Sequence, residues 1–332
     1  MANLTLVQAI NLALIQEMEK DDSVIILGQD VGVNGGVFRV TEGLFKRFGP
    51  ERVVDTPLAE SGIIGTSIGL AMAGLRPVPE IQFEGFLAPA YDQLCTHAAR
   101  MRTRTRSMFT VPITCRVPVG GGIHAPELHS DSPEAIYAHQ PGLKVVMPAS
   151  PYDAKGLLIS AIRDPDPVIF FEPKRLYRAF REEVPEDEYT VEIGKARIVV
   201  EGNDVTLISW GAPVVQCMNA IDSSHHSIEL IDLRSICPLD TETIVESVRK
   251  TGRAVIVHEA PRNCGLGAEI ASRIMEHCFL YLEAPIQRVT GFDTVMPYYK
   301  LEQEYLPEAH RISAALEEVI AYGTATGLGS AG

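Results

Sequence analysis

Two stretches carry residues whose types and spacing could do chemistry. The first runs Asp55 Thr56 Pro57 Leu58 Ala59 Glu60 Ser61 Gly62 Ile63 Ile64 Gly65 Thr66 Ser67 Ile68 Gly69, with Glu60 between a strand ending at Val54 and a glycine-laced helix. Pro57 stops the strand, and Gly65, Gly69 and Ala73 fall on one helical face where another backbone can come close. A carboxylate at the mouth of such a turn lies in the crevice at the carboxyl end of a parallel sheet, the usual ligand site of open α/β folds. An acidic residue in a first turn is also favoured by the helix dipole, and from this stretch alone a cap is the plainer reading. The second stretch is Val119 to Glu134, where a strand ends at Val117, three glycines open a loop, and His129 precedes Ser130, Asp131, Ser132 and Pro133. Those four residues look like the cap of a short helix through His139. A histidine there can titrate near neutral pH and exchange protons with a substrate; an inert loop histidine fits the residues equally well. His124 has weaker support, and His225 with His226 reads as a surface turn.

The elements that must position these groups follow from pattern. Short apolar, β-rich runs at Val24 to Leu27, Val53 and Val54, Val78 to Gln82, Ile113 to Val117, Lys144 to Met147 and Val168 to Phe171 alternate with helical stretches. This alternation implies a mostly parallel sheet with helices on both faces. One helix is expected from Pro151 to Arg163 behind the cap Ser150, and another within Met1 to Lys20, where Thr5 and Gln8 form a capping box. The first α/β domain is therefore placed at 1–172, a charged and solvated crossover at 173–201, a second α/β domain at 202–322, and a disordered tail at 323–332.

At 332 residues with 46% apolar side chains the chain is long enough for two cores, and its net charge of −14 disfavours nucleic-acid and anionic-membrane surfaces. Six scattered cysteines suit free thiols in a reducing compartment. No signal peptide is apparent, and no apolar run approaches the ~20 residues that span a bilayer, so a cytoplasmic location is expected. The glycine-rich run Gly28 to Phe38 has the wrong spacing for a dinucleotide fingerprint, and neither a phosphate-cradling loop nor a nucleophile elbow occurs.

Many separate runs together resemble the beta subunit of the thiamine-diphosphate-dependent, decarboxylating component of 2-oxo acid dehydrogenase complexes, of the pyruvate or branched-chain type. Among them are Gly35 to Val40, Asp55 to Gly62, Glu80 Ile81 Gln82 Phe83, His129 to Ala135, Pro141 to Val145, Ala161 to Phe171, Ile231 to Arg234, and His258 Glu259 Ala260. The resemblance spans residues 4 to 322. It implies two doubly wound α/β domains, a transketolase-like pyrimidine-binding domain and a transketolase carboxy-terminal-type domain.

Glu60 matches the glutamate that hydrogen-bonds the cofactor's pyrimidine ring nitrogen, and Leu58, Gln82 and Phe86 match positions lining the pyrimidine pocket. His129 matches the active-site histidine associated with substrate contact and proton transfer to the lipoyl group. Ile113, Ala161, Ile162, Asp164 and Asp166 fall on segments that bind a structural potassium ion in relatives. The chain lacks a Gly Asp Gly run with a downstream Asn. The resemblance therefore implies that magnesium and the diphosphate are held by an alpha subunit in an α2β2 heterotetramer, with the second domain docking a dihydrolipoyl acyltransferase through its subunit-binding and lipoyl domains. A self-sufficient transketolase-like enzyme and a non-catalytic scaffold subunit are the alternatives.

Overall fold

Val24–Gly28 is a strand of buried apolar side chains, the composition expected of a parallel strand covered on both faces. In the computed structural model, which describes residues 1–297 and 299–322, it pairs in parallel with Val53–Asp55 on one side and Arg76–Glu80 on the other. The sheet has seven strands in the order Ser235–Cys237, Lys144–Val146, Val168–Pro173, Thr114–Val119, Arg76–Glu80, Val24–Gly28, Val53–Asp55. Helix Leu6–Lys20 packs on helix Pro151–Arg163. The first starts at the predicted capping box, with Thr5 N donating to Gln8 Oε1 at 3.1 Å, and the second at Ser150, whose Oγ accepts from Asp153 N at 3.1 Å.

The second sheet has five strands in the order Gln287–Gly291, Ala254–Pro261, Val205–Ser209, Ile228–Asp232, Arg197–Val200, the last antiparallel to its neighbour. The two compact units are Met1–Ile193 with Ile236–Pro238, and Gly194–Ser235 with Leu239 onward. This differs from the expected solvated crossover at 173–201. Glu182–Val184 pairs with Ala2–Leu4 in the first unit, and Arg197–Val200 forms an edge of the second sheet. Both are short edge strands of three and four residues, too short for a period to stand out from a loop. The tail at 323–332 lies outside the described residues. All six cysteines are unpaired, and no helix among the described residues is long and apolar enough to cross a membrane.

His258, on strand Ala254–Pro261, is 0% exposed and stacks on Trp210 with ring centroids 5.3 Å apart. Helix Leu266–Cys278 starts directly on its imidazole: a Cβ at Gly265 or Gly267 would come within 2.7 Å of the ring. Burial, with Arg288 and Arg262 nearby, lowers its pKa to about 4; the Ala260 backbone opposes this without an aligned hydrogen bond. The folded chain therefore binds fewer protons here than the unfolded chain, so the contribution is complete above pH 6.5 and is lost as pH falls toward 4. The loss should total about 3 kcal/mol, at about 1.4 kcal/mol per pH unit. Urea unfolding of the chain and of His258→Leu between pH 7 and 4 checks this, and equal slopes for the two would refute it.

Candidate active site

Strand register brings the sequence-distant groups to one edge. Gly28 lies level with both Asp55 and Glu80, Glu80 with Arg116, and Val119 with Pro173. Glu60, the Gln82 to Phe86 segment, the His129 loop and Lys174 each follow one of these carboxyl ends. The Gly28 to Phe38 loop is tied to the same edge, since the Asp55 carboxylate accepts from Gly32 N at 2.6 Å and Val33 N at 3.1 Å.

Glu60 is the first residue of helix Glu60–Met72 and is only 8% exposed. A capping carboxylate would accept from a first-turn amide, yet no hydrogen bond or ion pair engages this one among the described residues. The residue is mostly enclosed, yet its carboxyl oxygens are not sealed away, which leaves the group open to an incoming ligand. Its helix packs on strand Arg76–Glu80 and on the turn Glu84–Ala90 that carries Phe86. Gly65, Gly69 and Ala73 lie on the exposed side of that helix, and among the described residues nothing beyond the helix's own backbone comes within 4 Å of a Cβ built at Gly69.

His129 stands between two aromatic rings, 4.4 Å from Phe83 and 5.0 Å from Phe86 between centroids. Its Nδ1 lies 2.7 Å from the carbonyl of Glu127, which can only accept; Nδ1 therefore carries the hydrogen and leaves Nε2 to exchange a proton. The preceding residue, Leu128, has φ of +65°, a left-handed conformation unusual for a leucine. The loop also sits hard against the aromatic segment: a Cβ on Gly85 would meet Leu128 O at 2.3 Å, so only glycine allows the approach. Beneath the loop, Lys174 Nζ donates to Glu84 Oε2 at 2.6 Å and to His129 O at 2.7 Å. Burial pushes the Glu84 carboxyl up to about 7 against the pull of Lys174.

Of the expected pyrimidine-pocket residues, Phe86 is part of this cluster. Gln82 donates to Asp30 Oδ2 at 3.2 Å, which links the cluster to the glycine-rich loop. Leu58 is 79% exposed, so the described residues leave most of its apolar surface uncovered. Residues not singled out from sequence line the base of the site. Arg116 Nη1 donates to Glu80 Oε2 at 2.7 Å, its Nη2 donates to Glu172 Oε2 at 3.0 Å, and Tyr177 Oη donates to the same Glu172 oxygen at 2.6 Å. All four are buried, and burial raises the Glu80 pKa. Lys174 likewise went unremarked; its position directly after a strand end was the available signal.

The expected potassium segments do converge. Ile113 O accepts from Val168 N at 2.9 Å and Ala161 O from Asp164 N at 3.2 Å, while Arg76 Nη1 donates to Ile162 O at 2.8 Å and Asp164 O at 3.3 Å. Lys144 Nζ lies 2.6 and 2.8 Å from the Asp164 carboxylate oxygens, and Arg102 Nε donates to Asp166 at 2.7 Å. A potassium ion would have to share these groups with three fixed positive charges, Arg76, Lys144 and Arg102. The arrangement does not favour it, and no chemistry is assigned to one.

Comparison with known proteins bears on what such a site serves. Residues 2–179 match the transketolase pyrimidine-binding domain and residues 194–312 the transketolase C-terminal domain. The pyruvate dehydrogenase E1 component subunit beta of Staphylococcus aureus (strain Mu50) is 53% identical over 325 residues, covering 97% of this chain and 100% of that protein. This chain belongs to the beta subunits of 2-oxo acid dehydrogenases. The corresponding subunit of Staphylococcus epidermidis (strain RP62A) is 54% identical over 310 residues, covering 92% of this beta subunit and 95% of the relative. A solved structure of a split-gene transketolase, described as an inactive beta4 tetramer, superposes with a TM-score of 0.78 at 21% identity, covering 96% of this chain and 99% of the other. At that identity the likeness speaks for the fold. Both α/β units of this beta subunit are of the transketolase type.

Proposed function

We propose that this beta subunit supplies Glu60 and His129 to an enzyme that oxidatively decarboxylates pyruvate and passes the acetyl group to lipoamide. The observation that carries the reading is the mostly enclosed Glu60, whose carboxylate has no partner among the described residues, at the carboxyl edge of the sheet. The residues present fit thiamine diphosphate: Glu60 for the pyrimidine nitrogen, the Phe86 face for stacking, and Gln82 beside them. When bound, that cofactor supplies a nucleophilic carbon and an electron sink for the loss of carbon dioxide. Glu60 is placed to hold the proton it shares with the ring. His129 offers Nε2 as the group that moves a proton during transfer to the acyl acceptor. The choice of pyruvate over branched-chain acids follows the names of the relatives.

Without a Gly Asp Gly run in the chain, magnesium and the diphosphate are assigned to an alpha subunit, in an α2β2 assembly. The exposed face of Gly65, Gly69 and Ala73, with Leu58 beside Glu60, suits close packing against that subunit. The second unit is assigned to docking of the dihydrolipoyl acyltransferase, whose basic subunit-binding domain suits an acidic chain. Purifying the chain with whatever accompanies it from its own cells should recover a subunit bearing the magnesium motif and a lipoyl acyltransferase. Recovery of a homo-oligomer alone would favour the self-sufficient or scaffold readings. In the assembled enzyme His129→Ala should lower acyl transfer to lipoamide about 100-fold, and an unchanged rate would remove the role given to His129.

A further inference from the structure

The ion pair beneath His129 is an odd thing to bury for stability alone. Both side chains are 0% exposed, and taking two charges out of water commonly offsets what their attraction returns. What the pair does achieve is geometric. Lys174 follows the end of strand Val168–Pro173, Glu84 opens the turn Glu84–Ala90, and the carbonyl of His129 belongs to a third segment. A single ammonium joins all three, and it also stands over the Phe83 ring, 5.2 Å from its centroid. The chain it holds is the one that needs holding: Leu128 is left-handed, and its carbonyl presses on Gly85.

We propose that Lys174, clamped by Glu84, is a positioning residue that fixes the main chain at His129 and so presents its imidazole between Phe83 and Phe86. For activity this rests on the reading of His129 given above. Lys174 acts through the His129 carbonyl, so its loss should leave substrate and cofactor binding largely intact while misplacing the ring. A displacement of about 1 Å is enough to cost about 100-fold in rate.

The test uses the assembled enzyme carrying Lys174→Met with Glu84→Gln, which removes both charges of the pair together. Acyl transfer should fall about 10- to 100-fold with KM for the oxo acid within about threefold. Thiamine diphosphate binding, read by fluorescence quenching, should be unchanged. Carbethoxylation of His129 by diethylpyrocarbonate, followed by peptide mass spectrometry, should accelerate several-fold. In a His129→Ala background the same pair of changes should cost less than about twofold further, because the two act as a unit. Glu84→Gln alone keeps a buried acceptor for Lys174 and should retain transfer within about threefold. An unchanged carbethoxylation rate, a full further loss in the His129→Ala background, or a Glu84→Gln loss equal to that of the pair would each overturn the proposal. If His129→Ala by itself leaves transfer intact, it is the role of His129 that fails, and the carbethoxylation rate still decides whether the pair holds the ring.

Discussion

Glu60→Gln should lower turnover of the assembled enzyme by about 100- to 10,000-fold while moving the unfolding midpoint by no more than about 2 °C. The amide keeps the size of the carboxyl and replaces no hydrogen bond within the chain, because the carboxylate makes none among the described residues. Its stability cost should therefore be small. What disappears is a group able to hold a proton against a ring nitrogen, which an amide cannot do. Steady-state kinetics with thermal unfolding on one preparation separates the two effects. Full activity in the variant would end the assignment of Glu60 to catalysis, whereas a large fall in the midpoint would make it a structural residue.

Glu172→Ala should destabilise the first unit by about 3–5 kcal/mol, a large share of any domain's stability. Arg116 is 0% exposed and divides its guanidinium between Glu80 and Glu172; removing Glu172 leaves it half-compensated and leaves the Tyr177 hydroxyl without its acceptor. Replacing Arg116, Glu80 and Glu172 together by Met, Gln and Gln should cost much less, since the penalty lies in orphaned charge more than in lost attraction. Urea midpoints of the single and triple variants decide it. Equal losses in both would mean that packing volume, and not charge balance, makes the position sensitive.

How much was legible in the sequence depended on how local the cause was. Helix Pro151–Arg163 was visible to the residue because its cap, its first-turn proline and its amphipathic spacing lie within one window. The strands of the parallel cores were visible as short apolar runs, and the location of His129 followed from a loop at a strand end. Arg197–Val200 and Glu182–Val184 were not visible, since each is set by a partner strand far along the chain. Lys174 was read as part of a charged crossover, because nothing near it announces that Glu84, 90 residues earlier, would share its burial. The same holds for Arg116, which reads as a polar interruption in a strand until Glu80 and Glu172 flank it. Patterns of period find elements; they do not find pairs of opposite charge that meet only after the sheet has formed.

The strand order also dictates when this site can exist along the folding path. Its floor requires the pairings Gly28 with Glu80 and Val119 with Pro173, each of which closes a loop of about 50 residues before any local contact offsets the lost entropy. No hairpin or single βαβ unit contains the set, so the histidine cradle should emerge late, together with closure of the sheet. A truncated chain that keeps most of its helices would still lack it. During synthesis the cradle cannot form until Lys174 has left the ribosome, so the growing chain carries its reactive side chains in scattered, harmless positions until the unit is nearly whole.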